Sequence, residues 1–550
     1  LIKLSLCSNA VNSMIKFSIY RPCAAIAVAW AVCSLFTATI AHAAPPDWRP
    51  WEAARARIHA DRMVILERQY HPYMDNIQGV LDQEQANLKA ALRNLCADTR
   101  PEPRLGVRID AYISHTDDSA QPFVRYLPPQ WSPDTPSPLI VYLHGYAPFD
   151  RFNLPFFPSY LTNTALQVSA CIAVPFARGN TDFQGIGEVD VIRVMDEMRQ
   201  RYNTDPRRVV LIGHSMGGMG AWSVAARHPH LFNAVMVLAG RGDFYVWHKL
   251  RPDDLPPWQR RLVDTQFASV WVHQMKNLPL LALHGTSDLL VSYEQGKAIF
   301  EQLKPHNQQA EFIPIANGDH WDPLVYLTND VGRTWLTKQL TTTNKHDFVS
   351  RIGIGESGSR LQNALQEPFV FVGGTSESTD STVRRNLKAR AHEWAGFAQA
   401  TPRIVMEPDL TPSYTTNLNL FVFGEPETSP LIKRVFDENN ISVTAETYRI
   451  GERSFPRDGN GLWFTATSPF NTNRTVVVQC GLRWGASLPQ NHLYDRIPDV
   501  IVYTEAVDFY KTNIALGAGF INSDGTIDWS DPATTPAIRP RSSLPLSTLK

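Results

Sequence analysis

The stretch Val209-Val210-Leu211-Ile212-Gly213-His214-Ser215-Met216-Gly217-Gly218 limits what this chain can fold into more than any other. A β-branched apolar run meets a Gly-x-Ser-x-Gly pentapeptide, and a helix-compatible segment from Met219 to Ala226 follows. A serine at the tip of such a strand-to-helix turn is forced into a tight conformation that holds its hydroxyl clear of the backbone. Glycines two before and two after it let neighbouring backbone approach without a Cβ clash. Ser215 is therefore the candidate nucleophile.

Three further stretches agree with that reading. Pro138 to Tyr146 is a continuous apolar strand ending in His144-Gly145, as a parallel sheet covered on both faces requires. The loop after it is placed to offer the Tyr146 N–H to a developing oxyanion, with the Met216 N–H as second donor. Leu280 to Gly285 is another apolar strand, and Asp288 lies in the loop beyond its end. Phe312 to Ile315 is a last strand, and the Gly318-Asp319-His320 turn follows. Nucleophile, acid and histidine come in that order along the chain, unlike the orders of trypsin-like and subtilisin-like enzymes.

Each candidate has rivals. Ser215 alone would read as a turn serine, and Asp288 as a helix N-cap before a helix over 293–304. Asp243, Asp254, Asp264 and Asp319 compete for the acid role, and the chain has 16 histidines, of which only His320 follows the last strand in this way. His144 and His214 sit next to the motifs and read as structural.

Strands expected over 139–143, 170–175, 209–212, 234–238, 280–283 and 310–315 alternate with helices over 186–201, 216–227, 293–304 and 323–340. That alternation argues a doubly wound, mostly parallel α/β sheet with its site at the carboxyl ends of the strands. Two antiparallel strands, 108–113 and 122–127, start the sheet, and a helical segment over 44–104 precedes it. Between Gly240 and Leu278 a Trp- and Pro-rich insertion reads either as packed surface or as an aromatic pocket wall, with Trp247 and Trp258 as lining candidates and Trp321 beside them. The expected division is 1–43 targeting segment, 44–104 helical segment, 105–345 catalytic domain and 346–550 α/β accessory domain. The accessory domain's Gly-rich turns do not fit G-x-G-x-x-G, so no nucleotide is expected there.

The composition, 43% apolar and 19% charged, is that of a globular protein, and a net charge of −1 leaves no footprint for nucleic acid. Neither H-E-x-x-H nor paired C-x-x-C occurs, so no metal is expected, nor any other cofactor. Near the N-terminus, Lys16 and Arg21 precede the apolar run Cys23–Phe36, and Ala41-His42-Ala43 makes a small-x-small cleavage site. An exported protein beginning at Ala44 is expected, periplasmic or secreted, with membrane attachment only if the segment stays uncleaved. Residues 1–13 precede Met14 and read as upstream sequence. Cleavage would leave Cys96, Cys171 and Cys480, too few for a dense disulfide framework.

Taken together, the Leu211–Trp222 stretch, His228-Pro229, Phe232, His284-Gly285-Thr286-Ser287-Asp288 and Gly318-Asp319-His320 resemble the α/β-hydrolase superfamily. The likeness spans roughly Leu105 to Leu340. Within that superfamily the chain is similar to secreted feruloyl-esterase and polyhydroxybutyrate-depolymerase-like esterases and to the catalytic domain of prolyl oligopeptidase-like peptidases. The resemblance implies Ser215 as nucleophile, Asp288 as acid, His320 as base, and Tyr146 and Met216 as oxyanion donors. The long β-propeller of true prolyl oligopeptidases has no counterpart in the sixty or so residues between the expected cleavage site and Leu105. An ester-cleaving serine hydrolase acting on small or polymer-derived esters is the expected activity. A serine peptidase using the same triad is the alternative, and a catalytically dead binding module the third reading.

Overall fold

Periodic polar segments fold as helices before the first strand: α1 (Arg49–Ile65) and α2 (Ile77–Leu95). The apolar runs that follow fold as β1 (Gly106–Ile113), β2 (Ala120–Leu127), β3 (Ser137–Leu143), β4 (Cys171–Pro175), β5 (Thr204–His214), β6 (Ala234–Leu238), β7 (Leu280–Gly285) and β8 (Ala310–Ile315). In this computed structural model, residues 48–66, 77–147, 154, 157–343, 358–374, 381–488, 492–508 and 511–530 are described. The expected targeting segment, 1–43, lies outside them. No helix among the described residues is long and apolar enough to cross a membrane.

The eight strands form one sheet in the order β1-β2-β4-β3-β5-β6-β7-β8. β3 to β8 run parallel, and β1 and β2 are antiparallel additions at one edge. β3, β4, β6 and β7 are buried at every position. Successive side chains alternate between two cores, as the strand period of two demands. Val141, Leu211, Val235 and Ala282 pack with Met198 and Trp222, from α3 (Ile186–Tyr202) and α4 (Met216–Arg227), and with Ile299 of α5 (Tyr293–Leu303). Ile140, Ile212, Met236 and Leu283 pack on the other face with Leu336 and Leu340 of α6 (Asp330–Thr341). This is the α/β-hydrolase fold.

Strand order reverses at β3. The chain leaves β3 for β4 on one side, then crosses back over β3 to enter β5 on the other. A crevice therefore opens beyond the carboxyl ends of β3 and β5, where open α/β sheets bind ligands.

The helix expected over 323–340 is two pieces. A 3₁₀ segment, Asp322–Leu327, ends before α6, because the Asn329 side chain caps the Gly332 N–H at 2.9 Å. A Cβ at Gly332 would fall 1.6 Å from the Tyr326 carbonyl oxygen, so the chain turns too tightly there for a continuous helix of ordinary residues.

The chain divides into two compact units. The first holds the described residues up to Gly242, those of Ala268–Gly355, and Ala398–Thr401. Here α1 lays Ala54 and Ile58 on Ala111 and Ala120 of the antiparallel edge, which ties the N-terminal helices into the first unit. The second holds Asp243–Phe267 and the described residues of Glu356–Phe397 and Pro402–Lys550. Its main sheet contains β9 (Phe369–Gly373), β10 (Ile404–Met406), β11 (Asn419–Phe423), β15 (Asn460–Thr467), β16 (Thr475–Gly481), β17 (Val500–Val507), β18 (Asn513–Ile521) and β19 (Ile527–Ser530). The order is β10-β9-β11-β16-β15-β17-β18-β19, parallel from β10 to β16 and antiparallel beyond. A small antiparallel sheet, β12 (Ile441–Val443), β13 (Thr447–Ile450) and β14 (Arg453–Pro456), completes it.

Candidate active site

Ser215 stands between β5 and α4 with φ 60° and ψ −119°, a combination that L-residues rarely adopt. The flanking glycines are required by contact. A Cβ at Gly213 would fall 1.9 Å from the Gly217 carbonyl oxygen, and one at Gly217 2.0 Å from that of Leu143. The Ser215 N–H donates to Leu238 O at 2.9 Å, and its carbonyl accepts the first helical bond, from Met219 at 3.1 Å. The Met216 N–H, at the start of α4, has no carbonyl four residues back to pair with and sits at the positive end of the helix.

The β3 loop reaches the same place. A Cβ on Gly145 would meet the Ser215 Cβ at 3.6 Å, so this loop lies against the serine, with Tyr146 next along it and mostly exposed. Asn180 holds the loop through a reciprocal pair: its Nδ2 donates to Ala147 O at 2.5 Å and its Oδ1 accepts from Ala147 N at 3.3 Å.

Asp288 and His320 meet beyond β7 and β8. The His320 Nδ1 donates to Asp288 Oδ2 at 2.7 Å, which leaves Nε2 as the basic nitrogen. Asp288 Oδ1 accepts from the N–H groups of Leu290 and Val291, both at 2.9 Å, so its second oxygen is fixed as well. Burial resists its ionisation, but hydrogen bonds from His284, His320 and the Val291 N–H outweigh that and hold the carboxyl well below the usual carboxylate range. The N-cap alternative is set aside by Ser292, which occupies that position before α5. Gly285 lets the two loops touch: a Cβ there would fall 2.3 Å from the carbonyl oxygens of both Gly318 and Asp319.

The rival carboxylates are engaged elsewhere. Asp243 caps the short helix Phe244–His248, Asp254 accepts from the Arg251 N–H, and Asp264 accepts from the Tyr245 hydroxyl. Asp319 is exposed and accepts from the N–H of Trp321 at 2.7 Å. His214 Nε2 donates to His320 O at 2.9 Å, a buttress for the histidine loop. Burial pushes its pKa down to about 4. His144 Nε2 donates to Phe176 O at 3.2 Å inside the core.

The pocket residues part company. Trp321 is 58% exposed and its ring lies 5.3 Å from those of both His320 and His214. Trp258 is a correction: only 3% exposed, it is buried in the helix Pro257–Gln266 of the second unit and has no face left for a substrate. Trp247 also lies in the second unit. Sequence reasoning missed Asn180, and also His284, which stands 3.3 Å from Asp288 and donates to Val291 O at 2.8 Å. The Arg178-Gly179-Asn180 turn directly after β4, in the loop nearest β3, was the available signal.

Residues 178–340, which include Ser215, Asp288 and His320, match the prolyl oligopeptidase family model. The first unit has the α/β-hydrolase fold, and its sequence resembles serine hydrolases of the esterase and peptidase types. Over 189 residues the chain is 27% identical to the bifunctional acetylxylan esterase/xylanase XynS20E of Neocallimastix patriciarum, covering 32% of this chain and 23% of that one. The chain thus spans about a quarter of that relative's length. Among solved structures it is similar to a thermostable esterase (TM-score 0.34, 18% identity, 42% of this chain and 62% of the other). It is also similar to a puromycin-hydrolysing peptidase of Mycobacterium tuberculosis (TM-score 0.36, 15% identity, 45% and 42%).

Proposed function

We propose that this protein is an exported serine hydrolase that cleaves carboxylic esters through an acyl-enzyme on Ser215. The observation that carries the reading is the strained Ser215 elbow at the strand ends together with the 2.7 Å His320–Asp288 pair. In that reading His320 Nε2 takes the Ser215 hydroxyl proton as Oγ bonds to the acyl carbon. The tetrahedral oxyanion is held by the N–H groups of Tyr146 and Met216 and then collapses, breaking the bond to the alcohol oxygen, which takes the proton from His320. Water repeats the sequence on the acyl-serine, leaving acid and free enzyme. Asp288 orients the imidazole and stabilises its charged form. Trp321, exposed beside that imidazole, is the candidate acyl-pocket wall.

The ester preference is supported by the similarity to a protein named as an acetylxylan esterase. The match of residues 178–340 to the prolyl oligopeptidase family favours the second reading, a serine peptidase with the same residues. Export rests on the basic, apolar and Ala-His-Ala pattern before Ala44. Purified protein assayed on a chromogenic ester panel beside a prolyl-peptide panel, with Ser215→Ala as control, separates the readings. Turnover of short-chain or aromatic esters that the variant loses supports the proposal. Brisk peptide cleavage with every ester ignored replaces it by the peptidase.

A further inference from the structure

Away from the nucleophile, the first unit holds a cavity of about 320 Å³, walled by α1, α2, β1, β2 and the segment leading into β1. Tyr202 lines it and precedes β5, whereas Ser215 follows that strand. Eleven residues at about 3.3 Å each put the two sites roughly 30 Å apart, at opposite ends of the sheet. Six arginines line the cavity against three carboxylates.

At its base, Arg55, Arg125 and Arg201 surround Asp110. Arg55 bonds Asp110 at 2.8 Å and Glu52 at 2.5 Å, and Arg201 bonds Glu197 at 2.6 Å. Three guanidinium groups thus face three carboxylates, and the base is close to neutral. Two of its N–H groups remain unused. Arg201 Nη1 stops 3.9 Å from Asp110 and Arg125 Nε 3.5 Å from it, and among the described residues neither makes a hydrogen bond although both side chains are 2% or less exposed. A buried charged donor left in that state is destabilising, so the base favours an added acceptor.

The mouth is cationic. Arg100, Arg104 and Arg108 are exposed there, with Glu102 the single acidic residue of the rim. Arg100 lies over the Trp51 ring at 5.0 Å; among the described residues, Arg108 bonds the Val107 carbonyl alone and Arg104 forms no ion pair. Planar guanidinium forks match the oxygen pairs of carboxylates and phosphates.

We propose that this cavity binds a small, multiply charged oxyanion, a phosphate ester or a polycarboxylate, held by Arg104 and Arg108 at the mouth and by the unused N–H groups of Arg125 and Arg201 at the base. Titration calorimetry of the full chain with inorganic phosphate and with citrate, at constant ionic strength in chloride, tests it. The expected result is saturable one-to-one binding of at least one anion, unchanged in Ser215→Ala and weakened about tenfold by either Arg104→Gln or Arg108→Gln. Phosphate alone or citrate alone binding would identify the head group. No heat with either anion, or heats equal in the wild type and the Arg104→Gln/Arg108→Gln double variant, would overturn the proposal. Both substituted residues are exposed, so a folding failure does not confuse the outcome.

Discussion

Ser215 combines a strained backbone with an expected chemical role, and the two separate by substitution. Ser215→Ala keeps the unfavourable φ of 60° while removing the hydroxyl, so kcat should fall about a million-fold with stability nearly unchanged. Ser215→Gly removes the side chain that makes this conformation costly. Set against glycine's greater freedom when unfolded, the net gain over Ser215→Ala should be about 1 kcal/mol in urea unfolding. Equal stability of the two variants would mean the elbow stores no strain. His214 gives a second test at this scale. Burial lowers its pKa to about 4, from about 6.5 when exposed, so the folded state binds fewer protons than the unfolded state between those values. Stability should therefore fall as pH drops from about 6.5 to about 4, by up to about 3 kcal/mol from this group. Urea midpoints at pH 7 and pH 5 should converge in His214→Asn, and an unchanged acid slope would assign the loss to other groups.

At the level of elements, the elbow depends on backbone meeting backbone. Gly217→Ala would drive a Cβ into the Leu143 carbonyl oxygen, which can yield only if β3 and α4 move apart, so a loss of about 3 kcal/mol or more is expected. Gly145→Ala adds a Cβ at ordinary contact distance from Ser215 and should leave the fold intact. Denaturation followed by circular dichroism checks both, and equal tolerance would refute the packing argument. These glycines were legible in the sequence because a strand, a nucleophile and a helix in succession demand them. Strands β3, β4, β6 and β7 were legible for a similar reason: every position is buried, so apolar residues run almost without interruption. Asn180 and His284 were not legible as site residues. Each acts across a tertiary contact, Asn180 on a loop 33 residues away, and polar residues after a strand carry no periodic signal. The break at Asn329 was missed because the apolar spacing from Leu324 to Leu340 suits one helix, and the capping bond decides otherwise. β12, β13, β14 and β19 carry little apolar contrast because each is only three or four residues long and partly exposed, and β17 and β18 also lie outside the strands expected from the sequence.

For the whole molecule, linear order and compact units differ. The Trp- and Pro-rich segment between β6 and β7 contributes Asp243–Phe267 to the second unit, where Arg261 lies 3.9 Å over the Phe520 ring and Gln266 bonds Asp495 O at 2.9 Å. Aromatic residues in an insertion therefore signal packing as readily as substrate contact, which is why Trp258 was misread. The export proposed above is also tested on the whole chain. Protein recovered from its natural host should begin near Ala44, outside the cytoplasm, by N-terminal sequencing of the fractionated cell. An intact segment from Cys23 to Ala41 in the membrane fraction would make it an anchor instead. The central claim is that Ser215 is the nucleophile, activated by His320 and Asp288. Its most direct measurement is fluorophosphonate labelling of the purified protein followed by peptide mass spectrometry. One adduct is expected, on Ser215, absent in Ser215→Ala and greatly slowed in His320→Ala and Asp288→Asn. An unlabelled protein, or an adduct on another residue, would contradict it.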